Sequence, residues 1–294
     1  MDRQPVLARR LFDRIEPVHA VTYFAPEARA ALDGLGYKGF WMGYFAARSA
    51  PLGAVPAEVV TAAFYNFAPQ RVAKALPAAW DVAPPADSLR ARLESAVAAL
   101  ERYGVGHGDD VAIAADLLAK AARTAAMEGR VLFAANAALP WPDEPLAKLW
   151  HATTLLREQR GDSHVTLLVG HGISGRESNV LHAAAGRVRR EMIMRSRDYD
   201  DEQWRTYRDR LVGRGLLEGD GLTDAGRELK QQIEDGTDTL ALPVLDALDD
   251  HEVEALFRAL TPIARKVVAG GDLPAATPMG LSRNDLDDDS AHLT

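Results

Sequence analysis

The chain of 294 residues has no cysteine, which excludes disulfides, thiolate nucleophiles and cysteine-ligated zinc. Aromatic residues make up only 7% of it and β-branched runs are short, so the composition argues for a mostly helical protein. No apolar run approaches the roughly 18–20 residues of a membrane span. The N-terminus carries Asp2, Arg3, Arg9 and Arg10 where a signal peptide would have an apolar core. The expectation is a soluble, cytoplasmic protein with no membrane partner. Positive charge is also in deficit: 34 Lys and Arg against 42 Asp and Glu leave a net charge of −8. No global field attracts phosphate, and any DNA contact needs a local basic patch. A P-loop, a dinucleotide fingerprint, a nucleophile elbow and an HExxH helix are all missing. The sequence therefore names no cofactor and no catalytic residue.

What is present is helical sequence in quantity. At 47% hydrophobic content, two domains are expected. The best linker is Gly104-Val-Gly-His-Gly-Asp-Asp. It separates an N-terminal helical domain (1–104) from a C-terminal domain (110–269). Residues 270–294, with Asp285, Asp287, Asp288 and Asp289, are expected to form a disordered acidic tail. Helices are predicted over 5–20, 26–33, 37–49, 56–67, 69–80 and 87–103 in the first part. In the second they fall at 110–126, 146–159 and 249–268, with the segment 131–139 after the first of them and Arg160-Gly-Asp making a turn before the chain resumes at 164–170. A shift of 109 residues overlays Phe24 on Phe133, Trp41 on Trp150 and Arg48 on Arg157 without a gap, which suggests a tandem duplication.

The most telling stretch is 176–235. Helical segments at 175–186 and 187–197 lead into an amphipathic run at 200–214. A tight turn at Gly219–Gly221 follows, and then Leu222-Thr-Asp-Ala-Gly-Arg-Glu-Leu, with Thr223 placed as an N-cap. This order reads as a winged helix-turn-helix. The fold expected is all-α with a small β-wing, made of tandem winged-helix-like halves that form a pseudo-dimer, the first half being degenerate. The phrase from Leu222 to Leu229 resembles MarR-type winged-helix regulators. Over nearly the whole chain the sequence is similar to the SalK-like helix-turn-helix family of actinobacterial proteins. The carrying phrases are GYFAARSAPLG from Gly43, FYNFAP from Phe64 and LWHATTLLREQRGDSH from Leu149.

The resemblance implies a ligand-responsive transcriptional regulator that binds double-stranded DNA, and the residues give it mixed support. Arg187, Arg189, Arg190, Arg195 and Arg197 face Glu191 alone in 186–197, a patch able to grip phosphates. Gln203, Arg205 and Arg208 are the candidates near base edges. Against this, residues 200–235 hold six basic and ten acidic side chains, and the turn Glu218-Gly-Asp-Gly lacks a cation. Asp200, Asp201 and Glu202 also repel phosphate, although they suit a helix N-terminus.

The second group of candidates would bind a small aromatic or anionic ligand. His151, Arg157, Glu158, Arg160, Asp162 and His164 form a polar cluster that would serve as an anion clamp or as a structural ion network. MarR-type folds bind aromatic ligands between the dimerisation helices and the winged domain. By that likeness His19, Arg48, Tyr65 and Asn66 would line one half of a pocket, with His151 and Arg157 in the other. No histidine pair has the spacing of a zinc helix, so no metal site is expected. The alternative function is a small-molecule-binding protein or enzyme whose winged helix is only scaffold. An interaction module for another protein is the third reading. The assembly is either a monomeric pseudo-dimer or a homodimer.

Overall fold

The computed structural model describes residues 3–274 and 284–293. Helices α1 (Val6–Phe24), α2 (Pro26–Gly34) and α3 (Gly39–Ser49) lead to α4 (Ala57–Phe64), α5 (Pro69–Ala73), α6 (Ala79–Val82) and α7 (Pro85–Arg102). Then come α8 (Asp109–Thr124), α9 (Val131–Ala137) and the long α10 (Pro145–Gly170). The helix-turn-helix unit comprises α11 (Gly175–Ala184), α12 (Arg190–Arg197) and α13 (Asp201–Gly213). Strands β1 (Leu217–Glu218) and β2 (Gly221–Leu222) form its wing, and α14 (Asp224–Ala241) and α15 (Asp250–Ala269) complete the chain of helices. The wing is a single antiparallel pair with Leu217 opposite Leu222 and Glu218 opposite Gly221.

Helix starts follow local chemistry. Pro26, Pro69, Pro85 and Pro145 each occupy a first-turn position, where a missing N–H costs nothing. Ser174 with Glu177, Asp200 with Gln203 and Asp249 with Glu252 form reciprocal capping boxes. Thr223 accepts the amide of Gly226, the cap expected at the close of the wing.

Three apolar cores hold these elements. The largest packs α1 against α7, α8, α10 and α15, with Val18, Leu100, Leu118, Leu155 and Leu260 fully buried. Leu100, Val105, Val111 and Leu118 share it, so the segment expected to separate two domains is a loop between helices of one core. The second core gathers α3, α4, α5 and α6 around Phe45, Phe64 and Phe67 and takes in Leu132 of α9. The third belongs to the helix-turn-helix unit and includes Leu168 of α10 and Ile233 of α14. Both long helices therefore run from the body into the helix-turn-helix unit.

Two expectations are corrected. The turn at Arg160-Gly-Asp does not form, and α10 runs through it without a break. A helical glycine costs only about 1 kcal/mol, and burial of α10 on α1, α8 and α14 outweighs that. The acidic tail is not disordered over 284–293. Leu286 and Ala291 are buried, and Arg10 donates to the Ala291 and Ser290 carbonyls at 2.8 and 2.7 Å. Residues 275–283 lie outside the described residues.

Candidate functional site

A cleft of about 1940 Å³ opens between the body and the helix-turn-helix unit. Its walls come from α1, the α3–α4 region, α10, α11, α12 and α14. The uninterrupted α10 lays Arg157, Glu158, Asp162 and His164 along one wall. Arg48, Tyr65 and Asn66 reach it from the α3–α4 side. Six of the eight expected ligand residues are thus brought together: Arg48, Tyr65, Asn66, Arg157, Glu158 and His164.

His19 and His151 are not. His19 is fully buried between Thr154 Oγ1 at 2.9 Å and Tyr23 Oη at 3.0 Å, stacked on Trp150. His151 sits edge-on to Trp141, and neither ring lines the cleft. Both are core histidines, packed by the aromatic neighbours that their helices bury.

At the centre of the cleft Glu158 accepts from Arg48 Nη2 at 3.2 Å and from Arg157 Nη1 at 2.9 Å. Arg157 Nε also donates to Glu16 at 3.2 Å. Burial works against the Glu158 carboxylate, but the two arginines outweigh it and hold its pKa well below the ordinary value. Glu16 shows the opposite balance: burial dominates and raises its pKa, with Arg157 only partly compensating. The guanidinium of Arg48 also lies over the Phe64 ring at 4.2 Å and donates to Tyr44 Oη at 3.2 Å. Near α14 the wall is neutralised by ion pairs of Arg9 with Glu234, Arg160 with Asp238 at 2.6 Å and Lys230 with Glu234 at 3.2 Å. Asp162, pushed up to about 6 by burial, accepts the Phe133 amide at 2.9 Å and so caps α9.

The DNA candidates divide. Arg187, Arg189, Arg195 and Arg205 are exposed and, among the described residues, make no ion pair. Arg190 is paired with Asp201 at 2.9 Å, and Arg208 with Asp209 at 2.8 Å. Gln203 is occupied in the cap of α13 and accepts from Arg176 at 3.3 Å, so it is not free to read a base. Arg197 is half-buried and turns into the cleft: its Nε is buried without a hydrogen-bond partner, and its guanidinium lies over Phe67 at 4.2 Å. Burial lowers its pKa to about 10, which leaves it charged at neutral pH. The signal was in the helical period. Arg197 follows the buried Ile193 by four residues and so shares the inward face of α12. Trp41, Tyr44 and Phe67, which the sequence did not single out as ligand residues, also line the cleft.

Burial holds His151, His164 and His182 neutral, each with a pKa lowered to about 4, and holds His19 well below its ordinary value too. In the unfolded chain these rings titrate near 6.5, so between those values the unfolded state binds more protons. Their stabilisation is complete above pH 6.5 and is lost as the pH falls toward 4. The raised carboxyls of Asp162 and Glu16 act in the other direction and offset part of it. The melting midpoint is expected to drop steadily over this window in calorimetry. A flat profile would show that the rings protonate in the folded state.

Residues 8–274 match the model of a helix-turn-helix family. No curated protein and no solved structure gives a significant match.

Proposed function

The chain belongs to this helix-turn-helix family, and we propose that it is a ligand-responsive, MarR-like and SalK-like DNA-binding regulator. One observation carries the reading: the cleft is walled on one side by the body and on the other by α11 and α12. A molecule bound there touches the DNA-type unit directly, so its affinity depends on how that unit sits on the body. The ligand would be an aromatic or anionic molecule, held by Arg48, Arg157 and their neighbours. Phosphate contacts fall to Arg187, Arg189 and Arg195, with Arg205 nearer the bases.

If these four each neutralise one phosphate, log K should fall with log salt at a slope of roughly −3.6. Arg189→Glu should weaken binding to all duplexes alike and reduce the slope by about 1. Fluorescence anisotropy with a labelled duplex from the native upstream region and a random duplex measures both. Failure of either duplex to bind at low salt would sink the DNA reading.

A second reading is favoured by the pairing of Arg190 and Arg208 with acids and by the acidic turn of the wing. In that reading the unit is scaffold for a small-molecule-binding protein or enzyme, and Arg189→Glu changes nothing that the cleft binds. The meeting of Arg48 and Arg157 on one carboxylate supports a tandem origin, since a shift of 109 residues relates the two. A single chain would then supply both halves of a pseudo-dimer. Light scattering should give the mass of a monomer, and a dimer mass would count against that arrangement.

A further inference from the structure

Several cations line the cleft, and their partners separate them. Arg48 and Arg157 are matched by Glu158 and Glu16, Arg160 by Asp238, and Arg9 and Lys230 by Glu234. Arg187 and Arg195 stand at the exposed edge, where water solvates them. Arg197 alone combines a buried Nε with no hydrogen-bond partner and no carboxylate, among the described residues. A guanidinium half-withdrawn from water with no carboxylate beside it carries a charge that nothing in the cleft balances. An acid group entering the cleft would supply what it lacks, in the paired geometry that arginine favours.

The surroundings of Arg197 specify the rest of the occupant. Half-buried Trp41 and Tyr44 line the cleft beside Phe67, with Tyr44 5.6 Å from both Trp41 and Phe67, centroid to centroid. Phe40 stacks on Tyr44 at 5.9 Å and is partly exposed. These rings offer edges and faces to another aromatic system. The volume of about 1940 Å³ exceeds the roughly 300–1,000 Å³ of a typical small-ligand pocket, so a single ring would leave most of it empty. Glu158 behind Arg48 disfavours a polyphosphate, whose further charges would meet a carboxylate.

We propose that the cleft binds a planar molecule of two or more aromatic rings carrying an acid group, with the acid on Arg197 and the rings among Trp41, Tyr44 and Phe67. This assignment deepens the ligand-responsive reading and rests on it only for its link to DNA. Because Arg197 belongs to α12, the occupant ties the helix-turn-helix unit to the α3–α4 side of the body.

The test uses the full chain and two fluorescent probes that differ only in the acid: anilinonaphthalene sulfonate and the uncharged phenyl-naphthylamine. The sulfonate should bind more tightly. Arg197→Gln should weaken it about tenfold or more while leaving the uncharged probe unchanged, and Arg90→Gln, at an exposed site on α7, should affect neither. Trp41→Ala should weaken both probes, which keeps the test decisive if the Arg197 variant misfolds. Equal affinity of the two probes, or sulfonate binding indifferent to Arg197, overturns the assignment. Labelled duplex in the same samples separates it from the DNA reading. Arg197-dependent probe binding without DNA binding leaves the ligand assignment standing and removes the regulator; DNA binding with no probe binding does the reverse.

Discussion

Replacing Gly175 by alanine is expected to cost about 3 kcal/mol or more and to loosen the helix-turn-helix unit from the body. A Cβ built on Gly175 would stand 1.9 Å from the carbonyl oxygen of Tyr65 and 2.6 Å from its carbonyl carbon. Both neighbours are backbone, so no side chain can swing away. Tyr65 itself adopts a positive φ of 57°, which turns the chain between α4 and α5 toward the start of α11. Two further bonds fasten the junction: Tyr65 Oη donates to the Ile173 carbonyl, and Asn179 Nδ2 donates to the Asn66 carbonyl at 2.9 Å. All of them would have to lengthen together. The control is Gly213→Ala at the exposed end of α13, where a Cβ meets nothing within 4 Å. That change should be neutral or slightly stabilising. Thermal melts would rank the two, and amide exchange should rise across α11–α13 in the Gly175 variant alone. A Gly175→Ala protein as stable as the parent would mean that the close approach relaxes freely.

That junction shows where the sequence was legible and where it was not. The helix-turn-helix unit could be read because its limits are set within a few residues: Ser174 and Glu177, Asp200 and Gln203, and Thr223 before Gly226 all bond locally. The course of α10 could not. Arg160-Gly-Asp has the composition of a turn, and only packing on α1, α8 and α14 keeps it helical. The same holds for residues 284–293. Their acidic composition suggested disorder, but Arg10 and Arg14, distant in sequence, hold their backbone carbonyls. The cleft was partly visible, since Arg157 and Glu158 stood out in a polar cluster and the MarR likeness pointed to Arg48. Its most telling cation was assigned to the wrong surface. Arg195 and Arg197 look alike in sequence, and only the position of Ile193 distinguishes the face that turns inward.

Glu158→Gln is expected to destabilise the protein by about 3 kcal/mol and at the same time to strengthen binding of an aromatic anion. The carboxylate is 1% exposed and balances two buried guanidiniums. Glutamine keeps the shape and loses the charge. Arg157 retains Glu16, whereas Arg48 keeps only Tyr44 Oη and the Phe64 face. Adding Arg48→Met removes the surplus charge and should restore more than half of the loss, because an unmatched buried ion costs more than a missing pair. The pH dependence follows from the sign of the shift. The folded carboxyl lies below its unfolded value of 4.5, so its contribution is complete above that pH and fades as the pH falls below it. Urea midpoints of parent and variant should therefore differ most at neutral pH and converge in acid. If the difference persists in acid, or Arg48→Met fails to rescue, Glu158 acts through its shape and not its charge. The binding prediction has the opposite sign. With Glu158 neutral, Arg48 becomes a second unmatched cation in the cleft beside Arg197, and anilinonaphthalene sulfonate should bind the less stable variant more tightly.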